Sequence, residues 1–187
     1  MSGHPEVDVL IVGYGPTGAA LAALLGQYEV RTLVVERLPD IPHEPRAIAL
    51  DNEALRILQM TGLADDAFAR VVIPQVRLHS PYVGDFARLD TSGRIDDHPK
   101  LVTFYQPELE QALRARVAQW PSVAVRTGVE MVRLDEDGEG IGVVLRTASG
   151  EEVVVRTRYL VGADGASSRV RGAQIGPRPL TGRLKRE

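Results

Sequence analysis

The sequence predicts an α/β fold, with a parallel sheet opened by a strand–helix–strand unit and continued by an antiparallel β-meander. Three observations predict it. A nearly continuous apolar run, VDVLIV (Val7 to Val12), leads straight into the glycine-rich turn GYGPTG. A small-residue helix pattern, AALAALLGQ, follows, and then a second apolar run, VRTLVVE (Val30 to Glu36). Late in the chain, VEMVRLDEDGEGIGVVLRTASGEEVVVRTRYLVGADG alternates apolar and polar residues, with turns at DEDGEG and ASGE. Continuous apolar runs suit parallel strands buried on both faces, and alternation suits antiparallel strands with one open face.

The elements follow in order. Strand, turn, helix and strand within about 30 residues make a βαβ unit. The loop RLPDIPHEPRAIAL comes next, with three prolines. Asp51 or Asn52 is placed to cap a helix carrying Leu55, Ile57, Leu58 and Met60, with Gly62 as its stop. A short helix is expected from Leu63 to Arg70. Residues 71–104 mix short β-like runs (VVIPQVRLHS, LVTFY) with the turn-rich TSGRIDDHPK, and read as an excursion out of the first layer. In QPELEQALRARVAQWP, Pro107 suits a first helical turn, Leu109, Leu113 and Val117 share one face, and Pro121 is the stop. VAVRTG is a further strand. The meander has roughly three strands, and Tyr159 to Gly162 runs back toward the main sheet. The tail GAQIGPRPLTGRLKRE lacks apolar periodicity. The expected division is therefore 1–70 with 105–171 as one domain, 71–104 as the excursion, and 172–187 as an irregular tail.

Bulk composition narrows the function. The chain has 187 residues, 44% hydrophobic and 25% charged, with a net charge of −3. It is long enough for a real core. That balance offers no basic footprint for nucleic acid. There is no cysteine, which removes disulfides, thiolate metal sites and cysteine nucleophiles. The N-terminus does not read as a secretory signal, and the longest apolar run, AALAALL, is too short to span a bilayer. A cytoplasmic protein without membrane attachment is expected. His4, His43, His79 and His98 are scattered without metal-ligand spacing, so no metal site is expected. The acidic pairs Asp65–Asp66, Asp96–Asp97 and Glu151–Glu152 read as solvated faces. Ser167 and Ser168 do not sit in a nucleophile elbow. Trp120 reads as packing.

One motif carries chemistry. Gly13, Gly15 and Gly18 form G-x-G-x-x-G between a strand and a helix, and Glu36 closes the next strand. Gly13 allows the tight turn, Gly15 lets a pyrophosphate approach the backbone, and Gly18 lets helix and strand pack closely. The helix opened by Pro16 and Thr17 offers free N–H groups and partial positive charge to phosphates. Glu36 can accept hydrogen bonds from ribose hydroxyls, and its charge disfavours a 2′-phosphate. This Rossmann-like unit fits NAD or FAD equally. The inserted loop, excursion and meander disfavour a nicotinamide dehydrogenase, which would continue with another crossover helix and parallel strand.

Four stretches in this order, DVLIVGYGPTGAALAALL with VVER, then PRAIALDNEALRILQMTGL, YQPELEQAL and LVGADGASSRVR, resemble the FAD-dependent aromatic-ring hydroxylases. These are single-component flavoprotein monooxygenases of the p-hydroxybenzoate and phenol hydroxylase type, and PRAIALDNEALRILQMTGL is most similar to the 3-(3-hydroxyphenyl)propionate hydroxylase branch. The resemblance covers residues 7 to about 171 and fades beyond Arg171. It implies a Rossmann-like FAD-binding unit, a meander crossover and part of a substrate domain, the N-terminal portion of a longer family chain.

The resemblance also implies roles. Gly13, Gly15, Pro16, Thr17, Gly18 and Glu36 would bind the FAD pyrophosphate and adenosine ribose. Arg37 would lie near the adenine half. Arg46 would lie against phosphate or flavin oxygens, and Gln106 would hydrogen-bond the ribitol side. Asp164 and Gly165 match the family's second signature, with Ser168 and Arg171 in register. Gly165 allows a sharp turn, and Asp164 can bond ribityl hydroxyls or cap the next helix. The implied reaction hydroxylates a small phenolic substrate with NAD(P)H and O₂, NADH being favoured, while the flavin carries the chemistry. No catalytic side chain can be named. A third cofactor motif and most of the substrate domain have no counterpart in these residues, so weak or absent FAD retention, no turnover and self-association, as a dimer or aggregate, are expected of the 187 residues alone. Two alternatives stand beside this reading: a non-catalytic FAD- or ADP-binding fragment, and another FAD oxidoreductase on the same scaffold, such as a polyketide hydroxylase.

Overall fold

The structure is a computed structural model describing residues 6–136 and 140–175. It opens with β1 (Val7–Val12), α1 (Pro16–Gln27) and β2 (Thr32–Glu36). β1 and β2 pair in parallel, so the βαβ unit forms as its periodicity requires. Alternate strand residues divide between two cores. Val9, Ile11 and Val34 face the helical side, and Leu10, Val12, Leu33 and Val35 face the other. This double burial is the reason the strands read as unbroken apolar runs. α1 packs through Gly18, Ala19, Ala20, Ala22, Ala23 and Gly26, all buried. Small side chains bring its axis close to the sheet. A Cβ on Gly26 would lie 2.5 Å from Trp120 Cγ, so Trp120 is a packing residue wedged against α1.

The long loop ends in β3 (Ala49–Asp51) and α2 (Asn52–Met60). Asp51 is the cap: its carboxylate accepts from the Ala54 amide at 2.8 Å. A nine-residue helix is marginal by itself. Burial of Leu55 and Leu58, at about 1.5–3 kcal/mol each, anchors it. Gly62 follows with φ +78°, a left-handed turn after the last helical residues. The helix expected from Leu63 to Arg70 does not form. Residues 63–69 are turns and coil, and Arg70 already belongs to β4 (Arg70–Val72). Burial of Phe68, edge-on to Phe104, holds this segment in place of helical hydrogen bonds.

Four short strands follow: β5 (Gln75–Ser80), β6 (Gly84–Asp90), β7 (Arg94–Ile95) and β8 (His98–Pro99). β9 (Leu101–Phe104) then enters a three-stranded sheet ordered β3-β9-β4, while β5 and β6 form a separate hairpin. None of them hydrogen-bonds to the main sheet. β9 runs into α3 (Gln106–Val117), where Leu109, Leu113 and Val117 are buried as their spacing predicts. α3 stops at Val117, four residues before Pro121, because its last carbonyls are closed by Ala118, Gln119 and Trp120 amides.

The chain returns through β10 (Val123–Thr127), β11 (Val129–Glu136), β12 (Ile141–Thr147) and β13 (Glu152–Gly162) to α4 (Arg169–Ile175). The main sheet is ordered β10-β2-β1-β13-β12-β11. The meander is not a separate layer joined by a link. β13 is one strand doing both jobs: Glu152 to Thr157 pair antiparallel with β12, and Thr157 to Gly162 pair parallel with β1. Thr157 is the switch point and is fully buried. The meander then folds over the sheet face, burying Val129, Met131, Val143, Leu145 and Val155 against Leu10, Val12, Leu33 and Val35. Residues 172–175, expected from the sequence to lie in an irregular tail, belong to α4. Residues 176–187 lie outside the described residues, as does the tip of the DEDGEG turn at 137–139. No described helix is long and apolar enough to cross a membrane.

Candidate functional site

The site lies at the carboxyl ends of β1, β2 and β13, where open α/β sheets hold ligands. Backbone bonds fix the glycine turn there. Gly13 N–H donates to Val35 at 2.8 Å, and the Ala163 amide donates to the Val12 carbonyl at 2.7 Å. The three glycines are not equivalent. Gly13 has φ +105°, and a Cβ there would sit 2.3 Å from the Ala163 carbonyl oxygen. A Cβ on Gly18 would meet the Gly13 oxygen at 2.0 Å. At Gly15 a Cβ would meet nothing within 4 Å. Gly13 and Gly18 are therefore glycine because the fold leaves no room, and Gly15 faces open space. Gly15 is also the N-cap of α1 and supplies no side-chain acceptor. With Pro16 in the first turn, the amides of Thr17 and Gly18 keep their donor capacity, and no acidic residue occupies that turn.

Glu36 stands beside this turn. One carboxylate oxygen accepts from the Tyr14 amide at 2.8 Å and the other from the Leu38 amide at 2.9 Å. Two backbone donors orient the carboxylate and leave lone pairs on each oxygen for further donors. Arg37, exposed, and Leu38 line an open cleft of about 450 Å³ together with Gly128, Glu130, Arg146, Thr147, Ala148 and Gly150.

Across the turn, the second signature is split between two tasks. One oxygen of Asp164 accepts from the amides of Arg169 (2.6 Å) and Val170 (3.3 Å), capping α4. The other oxygen is buried with no partner. Burial pushes the Asp164 pKa up, but hydrogen bonds from Ser168, Arg169 and Val170 outweigh it and hold the group below its ordinary 3.8. Gly165 has φ +81°, and the Arg46 guanidinium lies 3.7 Å from where its Cβ would be. Ser168 accepts from the Arg171 amide, and Arg171 reaches back to the Ala166 carbonyl, so both act locally.

Gln106 is turned inward. Its amide oxygen accepts from the Arg46 and Ala47 amides, both at 2.8 Å, and its Nε2 donates to Glu110 at 2.7 Å. It fastens the Arg46 loop to α3. Three residues at this site were not singled out from the sequence: Tyr14, Glu110 and Arg114. Arg114 donates to the Tyr14 carbonyl at 3.2 Å and stacks over its ring at 4.6 Å. Burial raises the Tyr14 pKa to about 12, with Arg114 opposing. The missed signal is a polar stripe, Gln106, Glu110 and Arg114 at four-residue spacing, beside the apolar stripe of α3.

The family model described as FAD binding domain matches residues 6–183. The chain belongs to this family. The match runs past Arg171, where the resemblance was expected to fade. A 3-(3-hydroxy-phenyl)propionate/3-hydroxycinnamic acid hydroxylase of Burkholderia cenocepacia is 42% identical over 168 residues, 89% of this chain and 31% of the relative. A probable NADH-specific resorcinol 4-hydroxylase of Rhodococcus jostii is 37% identical over 91% of this chain and 33% of its own length. The flavin-dependent monooxygenase PieE, solved in complex with FAD and substrate, superposes with a TM-score of 0.75 at 32% identity, covering 91% of this chain and 32% of that one. The chain thus spans about a third of the length of the relatives it matches. An FAD-sized ligand fits the residues present: Gly15 is open, the helix terminus is uncapped, Glu36 is oriented by two amides, and one Asp164 oxygen lacks a partner.

Proposed function

We propose that these residues are the cofactor-binding portion of an FAD-dependent monooxygenase that hydroxylates a phenolic ring using NAD(P)H and O₂. The observation that carries the reading is Gly15, open to solvent at an uncapped helix N-terminus, with Glu36 fixed beside it. The pyrophosphate approaches Gly15 and the amides of Thr17 and Gly18, with Pro16 shaping the turn. Glu36 accepts from the adenosine ribose, and the adenine half enters the cleft flanked by Arg37. Arg46 and Gly165 meet the cofactor on the opposite side, where the unpaired oxygen of Asp164 is the candidate acceptor for a ribityl hydroxyl once the turn admits it. Gln106 acts mainly by holding the Arg46 loop. Bound flavin supplies the electron transfer and oxygen chemistry, and the protein supplies binding, orientation and exclusion of water. The phenolic substrate and NADH are supported by the relatives' names, since 3-hydroxyphenylpropionate and resorcinol are both phenols.

The test is an FAD titration of the 187-residue chain, followed by flavin absorbance and fluorescence. FAD is expected to be lost on purification, since the third cofactor motif has no counterpart in these residues, yet to rebind weakly with a saturable change. Glu36→Ala removes a charged acceptor worth about 1.5–3 kcal/mol, so affinity falls at least about tenfold. No saturable change in the wild-type chain would sink the FAD reading. Phenol-stimulated NADH oxidation by these residues alone would overturn their description as a cofactor-binding portion.

A further inference from the structure

We propose that Glu110 and Arg114 are positioning residues that hold the glycine turn and the Arg46 loop at a fixed separation through a buried polar chain along α3. The two arms are far apart in sequence and share no backbone pairing. What joins them is a run of side chains on one helix face. Arg46 and Ala47 amides donate to Gln106, Gln106 donates to Glu110, Glu110 pairs with Arg114 at 3.7 Å, and Arg114 donates to the Tyr14 carbonyl. The Tyr14 amide then donates to Glu36, which adds the ribose acceptor to the same chain.

Burial makes the chain stiff. The Glu110 side chain is 3% exposed and that of Arg114 18%. A carboxylate in that position is tolerable only while both oxygens keep partners. Gln106 holds one and Arg114 the other, so neither neighbour can swing away without stranding the charge. Arg114 has no free choice either, since its guanidinium is stacked on Tyr14 while bridging Glu110 and the Tyr14 carbonyl. Neither Glu110 nor Arg114 needs to touch a ligand. They set where Gly15 and Arg46 stand relative to each other, and a ligand spanning both arms requires that separation to be preset.

The test uses Arg114→Met, which keeps the stem and ring contact but removes the charge, with Glu110→Gln/Arg114→Met as a second variant that leaves no buried charge behind. Each is first checked for native circular dichroism and cooperative melting. Amide hydrogen exchange is then followed at Tyr14, Arg46 and Ala47 without cofactor. Exchange at Arg46 and Ala47 is expected to quicken at least about tenfold in Arg114→Met, although Arg114 contacts neither. A merely local packing role would loosen Tyr14 alone, and wild-type exchange at Arg46 and Ala47 in either folded variant overturns the proposal. FAD affinity, which rests on the reading above, is measured in parallel. If wild-type protein binds no FAD, that reading fails while the exchange result still decides the coupling. If wild-type protein binds FAD, a loss of about tenfold in Arg114→Met supports it, and unchanged affinity overturns it.

Discussion

Single residues at the strand ends divide into those that shape the turn and those that the proposed cofactor would meet. Gly13→Ala forces a side chain into φ +105° and against the Ala163 carbonyl. It is expected to cost about 2–4 kcal/mol of folding stability by urea denaturation. Gly15→Ala meets open space at φ −73° and should cost about 1 kcal/mol or less, yet abolish FAD binding by blocking the approach of phosphate. Loss of binding with the fold intact separates the two roles, and equal stability losses would refute the division. Asp164 gives a pH signature. Its folded pKa lies below 3.8, so its contribution to stability is present above about pH 4 and is lost as pH falls through the folded value. Asp164→Asn should therefore flatten the acid side of the stability profile, read by urea midpoints at about pH 5 and about pH 3.

At the scale of elements, α2 shows how local chemistry and packing share the work. Asp51 supplies the cap and Leu55 with Leu58 supply the anchor. Asp51→Ala should cost about 1 kcal/mol, a fall of about 2–4 °C in Tm, and leave FAD affinity unchanged because the cap lies outside the cofactor site. The Leu63–Arg70 segment teaches the opposite lesson. Its composition permits a helix, but too few turns are available to outweigh the burial of Phe68 in an extended path into β4. β13 goes further: one strand of eleven residues serves an antiparallel meander and a parallel sheet in turn, with Thr157 paired on both sides. Alternation along VVVRTRYLVG announces a strand, but nothing local says that its partner changes halfway.

On the scale of the whole molecule, exposed apolar side chains concentrate in the excursion and its flanks. Ile48, Val71, Val72, Tyr82, Val83 and Phe86 are each at least half exposed. The outer strands of the three-stranded sheet, β3 and β4, and the β5–β6 hairpin all present unpaired edges. Apolar surface beside open strand edges favours association. Light scattering of the 187-residue chain should show mass rising with concentration, and Val72→Lys with Phe86→Lys should suppress it. A concentration-independent monomer would contradict this. Neither Val72 nor Phe86 belongs to the proposed cofactor site, so the same double variant should keep its FAD affinity.

The sequence by itself determined the βαβ unit, the glycine turn, Glu36 at the end of β2, the α3 apolar stripe and the membership of an FAD-binding family. These features are local or short in range: a period of two or 3.6, a glycine where no Cβ fits, a cap beside its helix. Only the tertiary structure decided which polar groups find each other. Gln106 spends its amide oxygen on the loop 60 residues earlier, and Arg114 reaches Tyr14 across 100 residues. Asp164 gives one oxygen to a helix cap and keeps the other buried and free. The physical reason is that a polar side chain has several permissible partners, and its sequence neighbours do not say which. Burial makes the choice, because an unpaired polar group out of water is costly and the fold must bring a partner from elsewhere.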